Sequence, residues 1–84
     1  MNLEILTPTG KTFSGEVLGV QLPGITGSFE VLDNHAPLVS ALKAGRLKVL
    51  VEKNRDEFYQ IQSGFVEVLN NKVTVLVEGS KPVE

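Results

Sequence analysis

The chain has 84 residues and no cysteine or tryptophan, and only one tyrosine, one histidine and one methionine. Without cysteine there is neither a disulfide scaffold nor a thiolate metal site, which fits a reducing compartment. The shortage of tryptophan and tyrosine removes the stacking surface that sugar- and base-binding proteins use. No apolar run approaches the 18 residues of a membrane helix, and no charged-then-apolar leader precedes the first strand, so a soluble, cytoplasmic chain is expected. Positive charge is not in excess either. A net charge of −2 argues against nucleic acid or an anionic membrane as the main partner. Helical periodicity, internal repeats and low-complexity segments are also missing.

What remains is ordinary globular material, 42% hydrophobic and 21% charged. At this length one domain spanning residues 1–84 is expected, burying a little over about 60% of its extended surface. Short alternating runs separated by turn signals every 8 to 12 residues or so predict an all-β fold. The expected form is a flattened sandwich or barrel of about eight to ten short, mostly antiparallel strands. Residues 2–7 read as an edge strand closed by Pro8-Thr9-Gly10, and residues 11–22 as one long extended segment with Glu16, Leu18, Val20 and Leu22 on one side. Leu47, Val49 and Val51 then alternate with Arg46, Lys48 and Glu52, and Tyr59 and Ile61 point away from Phe58, Gln60 and Gln62. Lys53 to Asp56 and Asn70-Asn71 are hairpin signals, the second the sharper because Asn tolerates positive φ. Val73, Val75 and Val77 form the inner phase of the last strand, and residues 79–84 read as a frayed tail.

The densest irregular stretch is Leu22 to Val49. Pro23-Gly24 signals a turn, and Asp33-Asn34 ahead of His35-Ala36-Pro37 signals another, since Pro37 disfavours helix at Ala36. No catalytic or metal constellation emerges from it. Asp33 and Ser40 do not stand at triad spacing from His35, and a single histidine with scattered carboxylates makes no metal site. Gly24 and Gly27 lack the Lys-Ser/Thr and the following helix of a phosphate loop. Lys43, Arg46, Lys48, Lys53 and Arg55 make a basic patch, either a solvated sheet face or a partner surface. Ile25 and Phe29 flank Gly27 and either cap the core or present an apolar contact.

The same stretch resembles the signature region of the epsilon subunit of rotary F-type ATP synthases. Gly24 and Gly27, Val31, His35-Ala36-Pro37-Leu38 and Lys43-Ala44-Gly45 fall in register with it, as do Thr12-Phe13-Ser14-Gly15 and Gly64-Phe65-Val66-Glu67-Val68. Glu30 stands where the family has glycine, and Asp33-Asn34 where it has Pro-Gly. The resemblance implies the epsilon N-terminal β-sandwich and a non-catalytic rotor subunit without cofactor. It implies a peripheral position on the cytoplasmic face of a bacterial plasma membrane, linking the gamma subunit to the c-ring and coupling proton transport to ATP synthesis. It places Thr26, Gly27, Ser28, Phe29 and a neighbouring His35 at the c-ring, and Thr7 and Ser40 at gamma. A C-terminal helical hairpin, present in most relatives, is not expected here. The alternative is a free-standing β-sandwich module binding carbohydrate or peptide.

Overall fold

Alternating apolar and polar residues dictate strands, because successive side chains of an extended chain leave on opposite faces. The computed structural model describes residues 1–83. Its ten strands are β1 (Asn2–Thr7), β2 (Gly10–Glu16), β3 (Gly19–Gly24), β4 (Gly27–Leu32), β5 (Leu38–Leu42), β6 (Gly45–Glu52), β7 (Arg55–Ile61), β8 (Gly64–Leu69), β9 (Lys72–Val77) and β10 (Ser80–Val83). They form one sheet in the order β10-β7-β6-β3-β5-β8-β9-β1-β2, with β4 attached to β3. The sheet curls into a nearly closed, barrel-like sandwich. Pairing is antiparallel except between β1 and β9, which run parallel with Leu3 opposite Val73. The two halves join at β3, which pairs with β6 over Gly19–Gln21 and with β5 at Gly24.

The core sits inside the curl. Leu3 and Ile5 of β1, Leu47 and Val49 of β6, Val66 and Val68 of β8, and Val73 and Val75 of β9 are fully or almost fully buried. These are the inner phases of the alternation, and each such side chain contributes roughly 1.5–3 kcal/mol by leaving water. Two-residue turns close the hairpins on either side. Asn54 (φ 65) and the pair Asn70 (φ 51) and Asn71 (φ 62) take the left-handed backbone that such turns need.

Four expectations need correction. Pro23 and Gly24 do not turn; they end β3, and the turn falls one step later at Ile25-Thr26, where Gly27 adopts φ 144. The segment 11–22 breaks at Val17-Leu18, leaving Leu18 half exposed while Val20 and Leu22 are buried. β1 is interior, held by β9 on one side and β2 on the other. The expected frayed tail is a strand over Ser80–Val83, paired with β7 from Ser80 opposite Ile61 to Val83 opposite Phe58; Glu84 lies outside the described residues. The reason is the open edge of β7, which offers backbone partners that outweigh weak local propensity. Gln62 N–H donates to Gly79 O at 2.9 Å and Glu78 N–H to Ser63 O at 3.1 Å, turning the chain back. Pro82, lacking an N–H, suits a strand at the end of the sheet path.

Candidate functional site

The residues singled out from the sequence fall into three places. The first is the β3–β4 hairpin, where Thr26, Gly27 and Ser28 are exposed. Ile25 stands out at its tip with 57% of its surface in solvent. Phe29 behaves differently: it packs against the core, with its ring lying where a Cβ on Gly24 would be, 2.9 Å from Cε1. Of the two flanking apolar residues, Ile25 presents itself and Phe29 supports the hairpin.

The second place is the β4–β5 connection. His35 is exposed there, and its Nδ1 lies 2.7 Å from Ala36 O. His35 N–H donates to Leu32 O at 3.2 Å, closing a turn whose third residue, Asn34, has φ 63. A left-handed asparagine therefore takes the conformation that a glycine would otherwise supply. The Asp33 carboxylate accepts from the Met1 ammonium at 2.7 Å and from Asn71 Nδ2 at 3.1 Å. Those donors, the ammonium first, hold its carboxyl below the ordinary value. His35 is not a neighbour of the hairpin tip. The five steps of β4 from Gly27 to Leu32, at about 3.3 Å each, set the two places at opposite ends of a strand roughly 17 Å long.

The third place is the outer face of β5, β8, β9 and β1. Ala41 stands opposite Phe65, Phe65 opposite Leu76, and Leu76 opposite Leu6, an apolar row across four strands. Val39 adds to it and is 69% exposed; Phe65 is 46% and Leu76 37% exposed. Leu6, Thr7, Pro8, Gly64, Phe65 and Leu76 line a shallow groove of about 380 Å³ there. Thr7 is thus at the groove, its Oγ1 donating to Gly10 O at 3.2 Å. Ser40 is half-buried and shares the inward phase of β5 with Leu38 and Leu42, so its neighbours Val39 and Ala41 carry the outward surface. Sequence reasoning missed this row. Its signal was present as consecutive apolar residues, Ile5-Leu6, Leu38-Val39, Phe65-Val66 and Val75-Leu76-Val77, which mean strands apolar on both faces. Beside the row, Glu4 accepts from Lys11 at 3.2 Å and Lys72 at 3.4 Å, the Lys11 hydrogen bond first among the causes that lower its carboxyl.

The basic patch is laced with partners of its own. Lys48 lies 3.7 Å from Asp56, Arg55 is 3.0 Å from Glu57, and the Arg46 guanidinium sits 5.3 Å from the Phe58 ring centroid. That favours the solvated-face alternative. No cluster of three metal-ligating side chains exists among the described residues.

A family model described as the β-sandwich domain of the ATP synthase delta/epsilon chain matches residues 1–82. The chain belongs to this family. It is similar to the ATP synthase epsilon chain of Chlorobium limicola, 42% identical over 76 residues, covering 90% of this chain and 86% of the relative. It is also similar to the epsilon chain of Maridesulfovibrio salexigens, 48% identical over 83 residues, but there it spans only 58% of the relative's length. Among solved structures, a chain of the Euglena gracilis mitochondrial ATP synthase, described as OSCP/F1/c-ring, superposes with a TM-score of 0.89 at 24% identity, covering 95% of this chain and 51% of that one. A chain of the Tetrahymena thermophila mitochondrial ATP synthase central stalk and c-ring gives 0.80 at 19% identity, covering 96% of this chain and 65% of that one. At those identities the match establishes the shared sandwich. The family model and the curated relatives establish membership.

Proposed function

We propose that this chain is a non-catalytic rotor subunit that joins the gamma subunit to the c-ring of a proton-translocating ATP synthase and so couples proton transport to ATP synthesis. The observation that carries the proposal is the outward apolar row of Val39, Ala41, Phe65, Leu76 and Leu6. A sheet face of this kind is costly in water and fits a lasting protein contact. We assign it to gamma, with Thr7 at its margin and Ser40 on the other face of β5 between Val39 and Ala41. The hairpin at Ile25–Ser28 adjoins one end of the row, where Ile25 N–H donates to Ala41 O at 3.3 Å, and its exposed tip projects past the strands; we assign that tip to the c-ring loops, with His35 contributing from a separate position. The expected setting is the cytoplasmic face of a bacterial plasma membrane, reached only through the complex. The role as proposed involves no cofactor. The rival reading, a carbohydrate- or peptide-binding module, needs an aromatic platform, whereas Tyr59 is buried.

The test is depletion of this subunit from ATP synthase in inverted membrane vesicles, followed by add-back. Wild type restores proton-driven ATP synthesis. Val39→Asp with Phe65→Asp, both at exposed positions, leaves the isolated domain folded and weakens rebinding at least tenfold. Normal rebinding by a folded double variant removes this face from the gamma contact.

A further inference from the structure

We propose that Asn71, legible in the sequence only as a turn residue, positions the β4–β5 loop for the partner contact made through His35. The inference rests on the rotor reading, which supplies that contact. Residues 33–37 are all exposed, so packing does little to order them. Asp33 does not fix φ as proline does, and Asn34 holds a left-handed conformation that a side chain resists. The loop therefore depends on hydrogen bonds for its shape.

Asn71 supplies two of them from a distant part of the chain. Its Oδ1 accepts from Asn34 N–H at 2.7 Å, and its Nδ2 donates to Asp33 Oδ1 at 3.1 Å. The orientation of the amide follows from its partners: flipped, it would set donor against donor and acceptor against carboxylate. Asn71 is itself well anchored. It sits at φ 62 in the two-residue β8–β9 turn, and its carbonyl accepts from Asn2 N–H at 3.1 Å where β1 enters the sheet. The clamp thus ties the loop to the β8–β9–β1 ladder, and a loop already ordered loses less freedom on binding. The ion pair of Asp33 with the Met1 ammonium is a second tether at one point, but it leaves the Asn34 amide without a partner.

Asn71→Gly tests this cleanly. Glycine accepts φ 62, and an Asn-Gly pair is a preferred two-residue hairpin turn, so β8 and β9 stay paired. Amide exchange at Asn34 should be slow in the wild type and about 2- to 10-fold faster in the variant, the range expected for losing the one hydrogen bond that its N–H makes to Asn71. Rebinding to ATP synthase stripped of this subunit should weaken several-fold, His35→Ala should weaken it as well, and the double variant should be no worse than the poorer single. An Asn34 amide that exchanges at the same rate in both proteins overturns the clamp. A freed amide with wild-type binding, while His35→Ala binds poorly, overturns the positioning role alone. Unchanged binding by His35→Ala removes this loop from the contact surface, and the positioning role falls with it.

Discussion

Gly64→Ala is the substitution whose cost is best defined by the structure. Gly64 opens β8 opposite Val77, and a Cβ built there would lie 2.0 Å from Leu76 O and 2.7 Å from Val77 Cα. Both are backbone atoms of a strand paired on its other side with β1, so neither can rotate away. Relief needs β9 to withdraw by more than about 1 Å, which costs overpacking strain of roughly 1–3 kcal/mol and at least one ladder hydrogen bond worth about 1 kcal/mol. The stiffer unfolded chain returns about 0.5 kcal/mol. A net loss of about 1.5–3.5 kcal/mol corresponds to a fall in Tm of about 6–28 °C for a domain of this size. Gly15→Ala is the control: the nearest atom there is Phe13 Cζ at 3.8 Å, ordinary contact, and Tm should stay level or rise slightly. Thermal unfolding followed by far-ultraviolet circular dichroism reads both. If Gly64→Ala melts within about 3 °C of wild type, the β8–β9 approach is looser than described and the argument fails.

Other consequences are equally accessible. Phe29→Asp should lower stability by about 2–4 kcal/mol by placing a charge against the core, whereas Ile25→Asp at the exposed tip should change it by under about 0.5 kcal/mol and act only on ring binding; equal melting temperatures would refute the division of labour between them. Asp33 has its carboxyl lowered from 3.8 by the Met1 ammonium and Asn71, so its contribution to stability is full above that pH and lost as pH falls through the lower folded value. Chemical unfolding across that range should therefore show wild type losing stability relative to Asp33→Asn. Burial, then Glu57, pushes the Tyr59 hydroxyl up to about 12 from 10.0. The fold holds that proton more tightly than the unfolded chain does, so stability declines as pH rises from 10 towards 12; with no other tyrosine or tryptophan, phenolate absorbance reports it directly.

The fold was largely legible because strand alternation is a local property. Leu47 and Val49, Tyr59 and Ile61, and Val73, Val75 and Val77 face inward as their spacing requires, and Asn70-Asn71 turns as its chemistry requires. What sequence missed was set by neighbours. Ser80–Val83 becomes a strand because β7 has a free edge, and β1 is interior because β9 lies beside it, facts that no window of adjacent residues contains. Thr26 and His35 are close in sequence, but β4 runs between them and sends them to opposite ends of a strand. The outward row across β5, β8, β9 and β1 was visible only piecewise, since its members come from four separate segments that pairing alone brings together.

The parallel pairing of β1 with β9 also constrains the order of events during synthesis. Leu3 lies opposite Val73, so β1 leaves the ribosome about seventy residues before this partner exists. At 5–20 residues per second that is a delay of roughly 4–14 s, longer once exit-tunnel transit is counted. Through that interval β1, which carries the fully buried Leu3 and Ile5, has only β2 of its two backbone partners beside it. The β1–β9 ladder therefore closes only after nearly the whole chain has been made. A nascent chain halted before β9 leaves one edge of β1 unpaired, and an unpaired apolar strand is what chaperones or proteases can seize.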